Sequence, residues 1–139
     1  MIDFLIGLIT TGVIIALLEV LRFLEKRLIA SLTLTGIAFI YIGFSWNDTP
    51  SLIFCIAGVA LFFALSYFGY KNNFKLVLIG LILHGIWDFF FPFFSSTAPG
   101  GYDIFCLTID FILAFYFYVR VKQDKYAGAE FKKQGSIIP

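Results

Sequence analysis

The chain has 139 residues, of which 60% are hydrophobic, 20% aromatic and 14% charged, with a formal net charge of +1. A water-soluble domain carries about 25% charged residues, so this composition points to lipid as the solvent and excludes a soluble nucleic-acid-binding domain. Length allows one domain, and at about 20 apolar residues per crossing, five spans with short loops nearly exhaust it.

The first span is expected over residues 2–22, interrupted by Arg22, Glu25, Lys26 and Arg27. It has no positive charge before its apolar run, so it reads as a retained helix rather than a cleaved signal peptide. A second span is expected over 30–46, followed by the loop Asn47-Asp48-Thr49-Pro50. That loop leads into a third span over 50–69, with Thr49 as N-cap and Pro50 at the first helical position. Lys71-Asn72-Asn73 ends it, and a fourth span is expected over 74–92. The turn-rich segment Ser95-Ser96-Thr97-Ala98-Pro99-Gly100-Gly101 then separates it from a fifth span over 102–121. Residues 1–122 thus form a five-span domain, and residues 123–139 a polar cytoplasmic tail.

The basic residues orient this plan. Arg22, Lys26 and Arg27 follow the first span, Lys71 and Lys75 the third, and Arg120, Lys122, Lys125, Lys132 and Lys133 the fifth; these are all 10 Lys and Arg of the chain. Alternating spans put every one on the same side, which the positive-inside rule makes cytoplasmic. Asp3, Asp48 and Asp103 are left on the other side. The expected fold class is therefore all-α: an integral membrane bundle of five transmembrane helices, N-terminus outside and C-terminus cytoplasmic, in a bacterial inner membrane. Anionic headgroups suffice to explain the basic face, so membrane lipid is the expected partner and nucleic acid is not.

Small residues mark expected helix contacts: Gly7 with Thr11, Gly12 with Ala16, Gly36 with Gly43, and Ala60 with Ala64. Spacings of four and seven put each pair on one face, where backbones can approach. These pairs read as packing within the chain, with a homo-oligomer seam as the competing reading. Trp46, Phe93, Phe94 and Tyr102 suit one interfacial belt, and Tyr67, Tyr70, Tyr116 and Tyr118 the other. The run Phe89-Phe90-Phe91-Pro92-Phe93-Phe94 reads as an anchor at the end of the fourth span, with an aromatic wall of a ligand pocket as the alternative. Cys55 and Cys106 lie within spans and read as small buried hydrophobes.

The informative polar residues lie in the fourth and fifth spans. His84, the chain's 1 histidine, and Asp88 are one helical turn apart in an apolar stretch. An acid at the bilayer centre costs about 2.5–3.5 kcal/mol on insertion scales, so such groups face helices or water and mark functional sites by default. Counting about 1.5 Å per residue from Lys75, His84 lies about 13–14 Å deep and Asp88 about 19–20 Å. Counting back from Arg120, Asp110 lies about 15 Å deep. A short connection makes the fourth and fifth spans neighbours, so three ionisable groups share one level. Gly80, His84 and Asp88 form one stripe, and Asp103, Cys106 and Asp110 a second. Thr10 and Thr11 reach a similar height, and Trp87 could support the site from a neighbouring face. A His84–Asp110 pair sharing a proton removes most of the cost, and Asp88 can then stay neutral, contact a ligand or trade protons. Glu19 lies one turn from the basic boundary, where it can snorkel or pair with Arg22. Asp103 reads as a cap or first-turn acid of the fifth span.

No cofactor is expected. One histidine with carboxylates is thin for zinc, and bis-histidine haem would require two chains. The His84, Asp88 and Asp110 group is open to three readings: a polar clamp between helices, a ligand or catalytic site, and a proton or ion path.

The stretch Leu83-His84-Gly85-Ile86-Trp87-Asp88 resembles the signature of an uncharacterised family of small bacterial multi-pass membrane proteins. Its members share a His-x-x-Trp-Asp segment, a loop with Pro and Ser, and a last span carrying an acid. The matching positions here are His84, Trp87, Asp88, Pro92, Ser95, Ser96 and Asp110, within residues 74–118. The family often has further histidines shortly after the Asp, where this chain has Phe89, Phe90 and Phe91. That departure puts metal binding in doubt here. The resemblance implies no established activity.

The leading expectation is a protein that binds or transports a small amphipathic or lipid-like molecule, with His84, Asp88 and Asp110 as its ligand or proton site. Thr11, Trp87 and Glu19 are its supporting residues. The alternatives are a small membrane enzyme using acid–base chemistry on an isoprenoid or lipid, and a structural or accessory subunit.

Overall fold

Long apolar runs satisfy their own backbone polar groups most simply as helices. The computed structural model describes the backbone of residues 1–21 and 23–135, and side chains as far as Gln123. It consists of α1 (Ile2–Val20), α2 (Lys26–Ser45), α3 (Thr49–Lys71), α4 (Lys75–Phe94) and α5 (Tyr102–Gly135), with no strand among the described residues. All five helices are long and apolar enough to cross a membrane, the arrangement of a membrane protein.

The ends differ from expectation where polar side chains extend or cap a helix. α2 begins at Lys26, four residues before the expected 30; the Lys26 ammonium turns back to the carbonyls of Leu18, in the last turn of α1, and of Leu21, which caps it. α3 is capped by Asp48 rather than Thr49, because the Asp48 carboxylate accepts from the Ser51 amide at 3.2 Å. Pro92 lies inside α4, which continues to Phe94. The expected tail after residue 122 continues α5 as helix to Gly135, with no proline to stop it.

The packing is inverted relative to a water-soluble bundle. Ile9, Phe23, Ile53 and Phe115 are more than half exposed, whereas Thr11, Ser45, His84 and Asp88 are buried. Each helix buries a stripe of small and polar residues, such as Ser51, Cys55, Gly58, Phe62, Ser66 and Gly69 on α3. The apolar core joins Leu34 and Ala38 of α2, Phe62 of α3, Val77 and Leu81 of α4, and Leu113 and Phe117 of α5.

α2, α3, α4 and α5 form a ring in which α4 also reaches across to α2. Among the described residues α1 packs on α5 alone. Gly7 and Thr11 make that contact, as expected: a Cβ on Gly7 would lie 2.9 Å from the Phe105 carbonyl oxygen. The other small pairs do not pack inside the chain. Gly12, Gly36 and Gly43 have nothing within 4 Å of a built Cβ, and Ala16 and Ala60 are exposed. The polar residues decide which face of each helix turns inward, and these small residues lie off that face. Close approach occurs instead at Gly58 against Trp87, Gly69 against Val77, Gly80 against Leu34 and Gly85 against Phe111.

Antiparallel succession gives the bundle a basic end and an acidic end. The first carries Lys26, Arg27, Lys71, Lys75, Arg120 and Lys122; Arg22 lies outside the described residues. At the second, the 95–101 connection folds over the start of α1. Gly101 has φ +83°, and a Cβ there would sit 2.6 Å from the Asp3 carboxyl group, so glycine is required on both counts.

Candidate functional site

Two glycines on α4 let its neighbours come close enough to build the site. A Cβ on Gly80 would lie 2.4 Å from Leu34 Cδ2, and one on Gly85 would lie 2.9 Å from the Phe111 ring and 3.3 Å from Asp110 Cβ. The missing side chains bring α2 and α5 against the buried face of α4, which carries His84 and Asp88.

His84, Asp88 and Asp110 meet there, each at most 2% exposed. His84 Nδ1 is 2.8 Å from Asp110 Oδ2 and 3.4 Å from Asp88 Oδ2. The fourth member is Tyr41 of α2, whose hydroxyl donates to Asp88 Oδ1 at 2.6 Å. One phenol, two carboxylates and one imidazole thus form a continuous polar chain across three helices. With a proton on Nδ1, His84 donates to Asp110, and its Nε2 faces the interior without a hydrogen-bond partner. A neutral imidazole leaves that nitrogen a bare acceptor, whereas an imidazolium would bury an unpaired N–H at about 1–3 kcal/mol.

Aromatic rings enclose the group. Phe62 lies 4.8 Å from the His84 ring in a T-shaped contact, and Phe91 lies 4.4 Å from the Tyr41 ring. Trp87 stacks on Phe54 at 4.4 Å and borders, with Tyr41, Cys55, Phe62 and His84, a gap too narrow to seat a water molecule. The expected aromatic wall is therefore built differently. Of the run from Phe89 to Phe94, Phe91 alone among the phenylalanines turns inward, and Phe89, Phe90, Phe93 and Phe94 are exposed.

Toward the acidic end a hydroxyl ladder approaches this gap. Ser51 Oγ donates to Ser95 Oγ at 2.8 Å, Ser95 Oγ lies 2.8 Å from Thr97 Oγ1, and Thr97 Oγ1 lies 3.1 Å from Ser45 Oγ. Ser45 Oγ is in turn 3.2 Å from the Cys55 thiol, which lines the gap with His84. On the other side lie Leu34, Ala38, Leu81 and Phe117, all apolar and buried. Beyond them, in the basic-end half of α2 and α3, Thr35 Oγ1 donates to Ser66 Oγ at 3.0 Å and Ser66 Oγ to the Ser31 carbonyl at 2.7 Å, so hydroxyl groups lie toward both ends of the bundle.

The supporting residues have separate places. Thr11 donates to the Gly7 carbonyl at 2.7 Å, within α1. Glu19 joins α1 to α5, accepting from Tyr116 Oη and from Arg120 Nε at 2.7 Å each and pairing with the second arm of Arg120. The expected partner Arg22 lies outside the described residues. Asp103 is in the first turn of α5. Tyr41, Ser45 and Thr97 carry no role in the sequence reading. The available signal for Tyr41 was its place on the Leu34, Ala38, Tyr41 stripe at the height of Asp88.

Among the described residues, His84, Asp88 and Asp110 are the one group whose donor atoms could converge on a metal ion, lying within 4.8 Å of one another. Three donors fall one short of a closed tetrahedral zinc site; His84 Nδ1 and Asp88 Oδ1 are hydrogen-bonded to Asp110 and Tyr41, whereas His84 Nε2 and Asp88 Oδ2 have no hydrogen-bond partner.

Neither the curated proteins nor the solved structures hold a match to the chain. Residues 2–123 match the family of unknown function DUF6010, and the chain belongs to that family.

Proposed function

We propose that this is a multi-pass protein of a bacterial inner membrane, N-terminus outside and C-terminus cytoplasmic, of the binding or transport type. Its His84, Asp88 and Asp110 cluster takes up and hands over protons. The observation that carries this reading is one buried imidazole lying 2.8 and 3.4 Å from two buried carboxylates. A protonated imidazole between two carboxylates leaves one net negative charge in a low-dielectric interior, and one more proton removes it. Two protons shared among three bases is therefore the electrically neutral state, and lipid favours neutrality. The hydroxyl ladder supports exchange with the outer side, and the Ser31, Thr35 and Ser66 hydroxyls support a route onward toward the basic end.

The test is a proteoliposome with a pH dye inside and a proton gradient across its wall. The wild type is expected to dissipate the gradient faster than protein-free vesicles, and His84→Gln to abolish the difference. A wild-type rate equal to that of empty vesicles, for either direction of the gradient, would sink the proposal.

A second reading, a small amphipathic or lipid-like ligand, is favoured by the rings of Tyr41, Phe62 and Trp87 around the gap. It requires α3 to part from α4 where Trp87 meets Gly58. Acid–base chemistry on an isoprenoid requires the same opening. Native mass spectrometry of the gently extracted protein tests both: a small molecule carried by the wild type and absent from folded Asp88→Asn supports them, and a clean apo mass in the two proteins counts against them.

A further inference from the structure

The basic end of the bundle contains a second polar feature, remote from the His84 cluster. A pocket of about 390 Å³ opens between the starts of α2 and α4 and the second half of α5. Among the described residues its charged lining is Arg27, Lys75 and Lys122, with no acid. None of the ion pairs among the described residues involves these three cations. The neighbouring pocket, which Arg27 also borders, carries Glu25 and Glu19, the latter paired with Arg120.

The three cations differ in how firmly they are held. The Arg27 guanidinium lies over the Phe74 ring at 5.6 Å and donates to the Tyr70 carbonyl at 3.2 Å. It is thereby oriented without being neutralised. Lys75 is exposed, and Lys122, also exposed, lies over the Tyr118 ring at 5.8 Å, which leaves its charge unpaired. Asn72 and Asn73 add amide donors, and Lys75 opens α4, whose N-terminus adds a partial positive charge. On its other side the pocket is apolar, lined by Phe74, Leu78 and Val121, and Tyr118 is half exposed at its rim.

We propose that this pocket binds a phosphate-bearing anion. Three cations that form no ion pair among the described residues, one of them a planar guanidinium, match the charge and oxygen geometry of phosphate. Basic pockets between helices at the cytoplasmic side suit anionic lipid headgroups, and the apolar wall gives an acyl chain a place to lie. A soluble phosphate ester offers the same head without the chain. The pocket volume lies within the ordinary range for small-molecule sites.

The test uses the full chain in detergent, with phosphatidic acid and phosphatidylcholine of identical chains as probes and native mass spectrometry as the readout. One tightly held phosphatidic acid per chain is expected, in preference to phosphatidylcholine. Lys75→Gln with Lys122→Gln is expected to weaken it about 25-fold, at roughly fivefold for each lysine beside a charged headgroup. Both positions are exposed, so folding is retained, and circular dichroism checks this. Lys71→Gln removes one charge from the same end outside the pocket and is expected to leave binding intact. Glycerol phosphate is then added as competitor. Displacement of the lipid shows that the head alone is held, and no displacement shows that the chains contribute; both support the pocket. Equal adducts of the two lipids, or equal weakening by Lys71→Gln, would overturn it in favour of general surface attraction.

Discussion

Tyr41→Phe removes one oxygen from the polar cluster and little else. The ring keeps its contacts with Phe91 at 4.4 Å and Phe44 at 6.0 Å. What disappears is the 2.6 Å hydrogen bond to Asp88 Oδ1. Asp88 Oδ2 already has no hydrogen-bond partner and stands 3.4 Å from His84 Nδ1. After the substitution a fully buried carboxyl group depends on that one contact. Leaving a buried acceptor unsatisfied costs about 1–3 kcal/mol, with the upper part of that range applying to a charged group. Equilibrium unfolding in mixed micelles, followed by far-UV circular dichroism, measures the loss. A cycle with Asp88→Ala isolates the pair, because the phenol then has no acceptor to lose. The expected coupling is about 1 kcal/mol or more, as for residues sharing one network. A Tyr41→Phe variant within about 0.5 kcal/mol of wild type, the range of an ordinary surface change, would refute the claim that this hydrogen bond holds the cluster together.

Three further outcomes follow from the same geometry. Asp110→Ala is expected to cost about 3–5 kcal/mol in the same unfolding assay, because it breaks a buried pair and strands His84 Nδ1; a smaller loss than Tyr41→Phe would contradict the assignment of Asp110 as the principal partner. Gly85→Val pushes a side chain into Phe111 and Asp110 Cβ and is expected to lose about 1–3 kcal/mol as an overpacked contact. Gly36→Val, with nothing within 4 Å of its Cβ, serves as the control and is expected to cost less. Glu19→Gln weakens the tie between α1 and α5, so hydrogen exchange is expected to quicken through the second half of α1 while amides of α3 and α4 stay protected. Uniform loss of protection would show that α1 is integral to the core rather than docked on α5.

The depth count that aligned His84, Asp88 and Asp110 needed only helical rise and the positions of Lys75 and Arg120. The three groups do meet, because a helix of fixed rise converts sequence separation into height. The cost of isolated polar groups in an apolar run also indicated which face of α4 would be buried. Tyr41 escaped this reasoning for a physical reason. A tyrosine in an apolar span is inexpensive on its own, so its cost raises no alarm, and only the approach of α2 along Gly80 shows what its hydroxyl meets. The small-residue pairs erred in the opposite direction. Gly12, Gly36 and Gly43 have the spacing of packing motifs, yet spacing gives a shared face and not the direction in which that face points.

Composition, run length and charge placement therefore determined the five apolar helices, their antiparallel order, the separation of a basic end from an acidic one, and the height of the polar cluster. Each of these depends on distance along a single helix or on the side of a turn. The rotation of each helix about its axis, the partner of each carboxylate, the seating of α1 on α5, the closure of the gap beside His84 and the meeting of Arg27, Lys75 and Lys122 in one pocket were decided by tertiary structure. They depend on which faces come together when all the helices pack at once, and that is set by steric fit at residues such as Gly80 and Gly85 rather than by any local preference.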